Sequence, residues 1–195
     1  TELPMMLERP YAGWGSGGET GTGWLQIDPV RLDAGAVPAE FDSAADFGQI
    51  LASGVAPAGP LEQQARGLNV GAGWRGAGQR WDLGVIGAGF EVPNLVGGWS
   101  QQLDLAGLDA TVEVSRRVLT GSLLSYAGTR DPVSGRVWGG VTLNAATLRL
   151  GRYDANGGVS ASLLGGLLKG RLVADNRTLQ LRLAADRNWI DEPAL

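Results

Sequence analysis

The chain has 195 residues, with 16 basic against 20 acidic side chains, a formal net charge of −4, 32 glycines, and seven tryptophans against three phenylalanines. Neither a basic nucleic-acid face nor an acidic tail stands out of that balance, and the glycines follow no collagen period. Cysteine and histidine are both absent, which removes disulfides, thiolate nucleophiles, Cys/His zinc sites and every histidine-dependent triad.

The opening TELPMMLERP has no basic region followed by an apolar core, so no signal peptide is legible there. No run reaches the about 18 uncharged apolar residues of a membrane helix. If the chain spans a membrane, it does so as strands.

Residues 1–23 are rich in Gly, Pro and Ser without periodicity and read as a linker, leaving 24–195 as one β-domain. From Trp24 the pattern alternates, with Trp24, Gln26 and Asp28 on one side and Leu25 and Ile27 on the other, until Pro29 is expected to kink or end the strand. Residues 34–64 read as a long loop broken by Pro38, Pro57 and Pro60, with a short helix or edge segment near 44–52. Leu68, Val70, Ala72 and Trp74, a Gly76-Ala77-Gly78 turn, and then Trp81, Leu83 and Val85 predict a β-hairpin.

Further strands are expected where Trp99, Leu103 and Leu105 oppose Ser100, Gln102 and Asp104, and where Ala110, Val112 and Val114 oppose Asp109, Thr111, Glu113, Ser115 and Arg117. Residues 121–140, GSLLSYAGTRDPVSGRVWGG, carry dense turn signals and read as a loop or tight hairpin. Beyond them Val141, Leu143, Leu148 and Leu150 alternate with polar neighbours. Residues 154–158, DANGG, predict a hairpin turn, followed by strands through Val159, Ala161 and Leu163 and through Leu179, Leu181 and Leu183. That makes about eight strands of a length suited to a tilted membrane strand.

Period two alone does not tell a soluble sandwich from a membrane barrel, because the apolar side meets a core in one and lipid in the other. Adjoining short hairpins, charges recurring on the polar side and long polar or glycine-rich loops favour an all-β, antiparallel up-and-down transmembrane β-barrel, or part of one. Arg116, on the apolar side with Val114 and Val118, stands against it unless it lies at a membrane interface.

Residues 122–132 (SLLSYAGTRDP), Ser134-Gly135, Trp138-Gly139-Gly140-Val141 and Val173-Ala174-Asp175-Asn176 resemble the C-terminal outer-membrane domain of the bacterial cellulose synthase operon protein C family. Trp81-Asp82-Leu83-Gly84 and Gly89-Phe90 match it more weakly. The resemblance implies an outer-membrane porin of a Gram-negative cell that exports a linear glucan, cellulose, from the periplasm. It implies the glucan, outer-membrane lipid and the periplasmic and inner-membrane cellulose synthase components as partners, no nucleic acid and no cofactor. Family members carry periplasmic helical repeats before the barrel, and nothing of that array is legible here. The family barrel is similar to a porin of about sixteen strands, and this chain ends DEPAL without a terminal aromatic residue, so a fragment or shortened relative is expected. A closed eight-stranded barrel would be filled by its own side chains, whereas an open half would leave two sheet edges needing partners.

On that reading Trp24, Tyr126 and Trp138 could stack on sugar faces in a lumen, or equally form interfacial girdles. Asp104, Glu113, Arg117, Arg149, Arg182 and Asp186 could hydrogen-bond glucan hydroxyls, or pair with one another across the interior. No catalytic residue and no metal site is assigned. Asp109 and Glu113 share one side of a strand nearly 14 Å apart at roughly 3.4 Å per residue, too far for a glycosidase pair. Asp175-Asn176 reads as a turn rather than a calcium site. Gly71, Gly73, Gly76 and Gly78 lack the helix N-terminus a phosphate loop needs. The competing expectation is a soluble, non-enzymatic β-module that binds polysaccharide through exposed tryptophans.

Overall fold

The computed structural model describes residues 21–37, 61–131 and 135–187. They form β1 (Thr22–Val37), β2 (Leu61–Gly76), β3 (Gln79–Ala88), β4 (Asn94–Asp104), β5 (Asp109–Val118), a one-turn helix α1 (Leu123–Ala127), β6 (Thr129–Arg130), β7 (Val137–Asp154), β8 (Gly157–Arg171) and β9 (Val173–Arg187). All pairings are antiparallel, in the order β1-β2-β3-β4-β5-β7-β8-β9, with the two-residue β6 added to β7. The fold is therefore an all-β up-and-down meander, as expected. Among the described residues the sheet does not close, and β1 and β9 are each paired on one side only. No described helix is long and apolar enough to cross a membrane.

Most of the expected linker, residues 38–60 of the expected loop and the segment near 44–52 lie outside the described residues. Where both ends of that loop are described, strand replaces it: β1 runs on to Val37 and β2 already begins at Leu61. Pro29 does not end β1 but stays in register opposite Leu68. It is tolerated because β1 is an edge of the described sheet, where a missing donor can face outward.

Three tight turns lie at one end of the sheet. Ala77 and Gly78 have φ of 48° and 71°, the pair of left-handed residues of a type I′ hairpin, whose twist matches that of the flanking strands. Ala106 and Gly107 repeat that geometry between Leu105 and Leu108, with Asp104 Oδ1 accepting from the Gly107 N–H at 2.8 Å. At Ala155 and Asn156 the Asp154 carboxylate accepts from the Asn156 N–H at 2.7 Å, an Asx turn. At the opposite end the connections 89–93 and 119–136 are longer, and only the β8–β9 turn at Leu172 (φ 53°) is tight. Asp175 and Asn176 follow that turn inside β9, so they extend a strand rather than make the turn expected of them.

The central stretch 121–140 is more than a loop. Ser122 and Ser125 cap α1 reciprocally, each side-chain oxygen accepting from the other's backbone N–H at 3.1 Å. The helix lays Tyr126 and Ala127 onto Ile86, Phe90 and Val96, with Val30, Leu32, Ala65 and Val118 around them. This is the principal buried apolar cluster among the described residues. Phe90 meets Tyr126 edge to face, with centroids 5.3 Å apart and planes at 75°. Polar bonds fasten the same contact. Asn69 Nδ2 donates to the Tyr126 hydroxyl at 3.1 Å, and Asn69 Oδ1 accepts from the Gly87 N–H at 2.8 Å. Val92 N–H donates to Ala127 C=O at 3.0 Å, and Arg130 holds Glu91 through Nε (3.3 Å) and Nη2 (2.7 Å). Gly139 makes the fit possible: its φ is +94°, and a Cβ there would stand 2.1 Å from the Leu124 carbonyl oxygen.

Candidate membrane-facing and polymer-facing surfaces

Alternation gives the sheet two faces of opposite chemistry. One carries Leu25 and Ile27, Val70 and Ala72, Leu83 and Val85, Leu95 and Trp99, Val112 and Val114, Leu148, Leu163, and Leu179, Leu181 and Leu183. Among the described residues nothing covers it, and Leu179, Leu181 and Leu183 are 78%, 65% and 71% exposed. The other face carries most of the polar side chains, of which Asn69 and Thr147 are buried. A soluble sandwich does the reverse, burying its apolar side under a second sheet.

The apolar residues form an oblique band. From Ile27 the hydrogen-bonded row runs through Val70, Val85 and Leu95; from Leu181 it runs through Leu163, Leu148, Val112 and Gln101. The two rows cross β4 at positions 95 and 101, about 20 Å apart at roughly 3.4 Å per residue. Over an eight-strand path about 34 Å wide at roughly 4.8 Å per spacing, that drift inclines the band by about 30° to the rows. Strands tilted against a flat apolar slab produce such a drift, and outer-membrane-type barrels tilt by roughly 35–45°. Trp74, Trp81 and Trp99 form one cross-strand row at the band's edge beside the tight Ala77-Gly78 turn.

The polar face brings several expected residues together. Arg117 grips Asp82 with both terminal nitrogens, at 2.5 and 2.7 Å, and Asp82 is largely shielded. Arg149 Nη1 reaches Glu113 Oε2 at 3.2 Å. These are lateral pairings between nearby strands on one face of the sheet, and Asp82 was not among the expected site residues. Arg182 is exposed on β9 and joins Arg149 through Ser162 in one row that continues to Thr111 and Gln102. Asp186 lies further along β9, exposed, opposite Gly158. Trp24 is half-buried and lies over Gly71 and Gly73; a Cβ on Gly73 would stand 2.7 Å from its ring.

The remaining expected residues have structural employment. Tyr126 is buried in the α1 cluster, where its hydroxyl and ring are both engaged. Trp138 is half-buried on β7 beneath the Arg136 guanidinium, 5.4 Å from the ring centroid, and its indole Nε1 is buried without a hydrogen-bond partner. Asp104 closes the Ala106-Gly107 turn. No group of acidic residues that could hold a metal occurs among the described residues.

A family model, the cellulose synthase operon protein C C-terminus, matches residues 8–195. The cellulose synthase operon protein C of Escherichia coli K12 is 33% identical over 199 residues, covering 90% of this chain and 17% of that protein. The Salmonella typhimurium protein of the same name is 34% identical over 160 residues, covering 80% of this chain and 14% of that protein. A Xanthomonas axonopodis relative is 38% identical over 124 residues, covering 63% of this chain and 8% of its own length. The chain thus spans less than a fifth of the length of these relatives. An uncovered oblique apolar band, a polar opposite face and a match along nearly the whole chain converge: the chain belongs to the cellulose synthase operon protein C C-terminus family.

Proposed function

We propose that this chain forms part of the wall of an outer-membrane β-barrel that conducts a linear glucan, cellulose, out of the periplasm of a Gram-negative cell, without cofactor or covalent chemistry. The observation that carries the reading is the inverted sheet, apolar and bare on one face and polar on the other, with its apolar band tilted. In that orientation the tight turns face the periplasm and the long connections face outward, the usual asymmetry of such barrels. The relatives' name ties this chain to cellulose biosynthesis.

On the polar face, Trp24 offers a ring lying over glycine backbone, suited to the apolar face of a pyranose. The row Gln102, Thr111, Arg149, Ser162 and Arg182 offers donors and acceptors that exchange bonds with a sliding polymer. Arg117–Asp82 and Arg149–Glu113 keep the charges paired, so the surface stays wet without a strong net field. The remaining strands of the barrel wall, and the periplasmic and inner-membrane synthase components as partners, belong to this reading as well. Planar-bilayer conductance of the protein purified from its outer membrane tests it. Stable pores that a soluble cello-oligosaccharide blocks are expected, and a folded, inserted protein that conducts nothing would refute the channel.

A further inference from the structure

The outward face carries a basic rim above its apolar band. Arg116 stands two residues beyond Val114, and its row continues through Asn144 and Leu167 to Arg177, which stands two residues before Leu179. Lys169 is the next outward-facing position beyond Leu167 on β8. Three cations therefore line the edge of the band nearest the long connections, Arg116 and Arg177 being about 14 Å apart at three strand spacings. The one acid among them is Asp175, 3.5 Å from Lys169 in an ion pair more than half exposed on both sides, where such pairs are weak.

Arg116 is held without being neutralised. Its Nε donates to the Leu95 carbonyl and its Nη1 to Asn144 Oδ1, both at 2.9 Å. Neither acceptor is a carboxylate, so among the described residues its charge has no counter-ion. Two of the five guanidinium N–H groups are used and the plane is fixed, leaving a fork suited to two oxygens of one phosphate. Bare lipid tails would not accommodate this charge, and a phosphate layer would.

We propose that Arg116, Lys169 and Arg177 form a docking site for the phosphate groups of a phosphorylated membrane glycolipid in the outward leaflet. The inference rests on the membrane-barrel reading above. Its test uses the whole protein purified from the outer membrane, in nanodiscs containing diphosphorylated lipid A, dephosphorylated lipid A, phosphatidylglycerol or phosphatidylcholine alone. Diphosphorylated lipid A is expected to raise the unfolding midpoint, and Lys169→Gln/Arg177→Gln, which leaves the Arg116 bonds intact, is expected to weaken that lipid's apparent affinity about tenfold or more. Arg116→Lys, which keeps the charge but not the fork, is expected to weaken it less. An equal shift with dephosphorylated lipid A or phosphatidylglycerol, or an unchanged response in the double variant, would overturn the site. Flotation with vesicles is scored separately: insertion without lipid A preference sinks the site alone, whereas failure to insert into any vesicle sinks the membrane reading and the site with it.

Discussion

Asn69 on β2 donates a hydrogen bond of 3.1 Å to the hydroxyl of Tyr126 on α1, 57 positions away in the chain. The same amide accepts from the Gly87 N–H, so one side chain joins β2, the end of β3 and the helix, all in buried surroundings. Tyr126→Phe is expected to cost about 1 kcal/mol, since only the Asn69 amide loses a partner, and Asn69→Ala about 2–3 kcal/mol, since the Gly87 donor and the Tyr126 hydroxyl lose theirs as well. Thermal or urea unfolding in detergent measures both, and equal effects would mean that the Gly87 bond contributes nothing.

Gly139 sits against the carbonyl of Leu124 with a positive φ. Gly139→Ala combines an unfavourable backbone region with a backbone clash, and a loss of at least about 2 kcal/mol is expected. Protease cleavage near α1 at native temperature should rise in parallel. A neutral Gly139→Ala would show that α1 does not seat as described.

The two ion pairs of the polar face differ in kind. Arg117–Asp82 is bidentate and partly shielded, whereas Arg149–Glu113 is a single, more exposed contact. Double-mutant cycles are expected to give a coupling of about 1 kcal/mol or more for the first and a few tenths for the second, fading with added salt. A reversed order would contradict the geometry.

Gln180 and Leu181 are neighbours on β9 that face opposite ways. In lipid, Leu181→Arg is expected to cost about 2–4 kcal/mol if the residue lies near the bilayer centre, and Gln180→Arg much less. Unfolding in phospholipid vesicles gives the comparison, and equal costs would argue against a lipid-facing band.

Trp138 has a buried indole nitrogen without a partner. Trp138→Phe removes that polar atom and keeps most of the ring, so stability is expected to stay within about 1 kcal/mol of the parent or rise. A large loss, read from the unfolding midpoint, would point to a bond formed by the indole.

Much of the sheet was legible because its residues alternate cleanly. Leu68 to Val85 with Gly76-Ala77-Gly78 between them, and the turn after Asp154, needed only period two and turn chemistry. Pro29 misled because a proline stops a central strand but not an edge, and edge position is a property of the whole sheet. The far half of β8 was missed because Leu164, Gly165, Gly166, Leu167 and Leu168 abandon the alternation. The helix α1 was hidden because its capping box uses Ser122 with Ser125 instead of the more recognisable glutamate. Tyr126 read as a sugar platform because nothing near it in sequence names Asn69 and Phe90 as its partners. Asp82 was passed over for the same reason, its arginine lying 35 positions away. The oblique band could not be seen without the register, which the strand pattern alone does not specify.

Along the ladder each long strand pairs with the next long strand in the chain, so loop-closure cost grows only slowly even where, between β5 and β7, the connection is long. The helix α1 is the exception: its seat draws on residues of β1 through β5 and on Gly139 of β7. That seat therefore exists only when these strands are in register. A chain whose first strands are misaligned has nowhere to bury Tyr126, and leaves that ring, with Phe90, exposed.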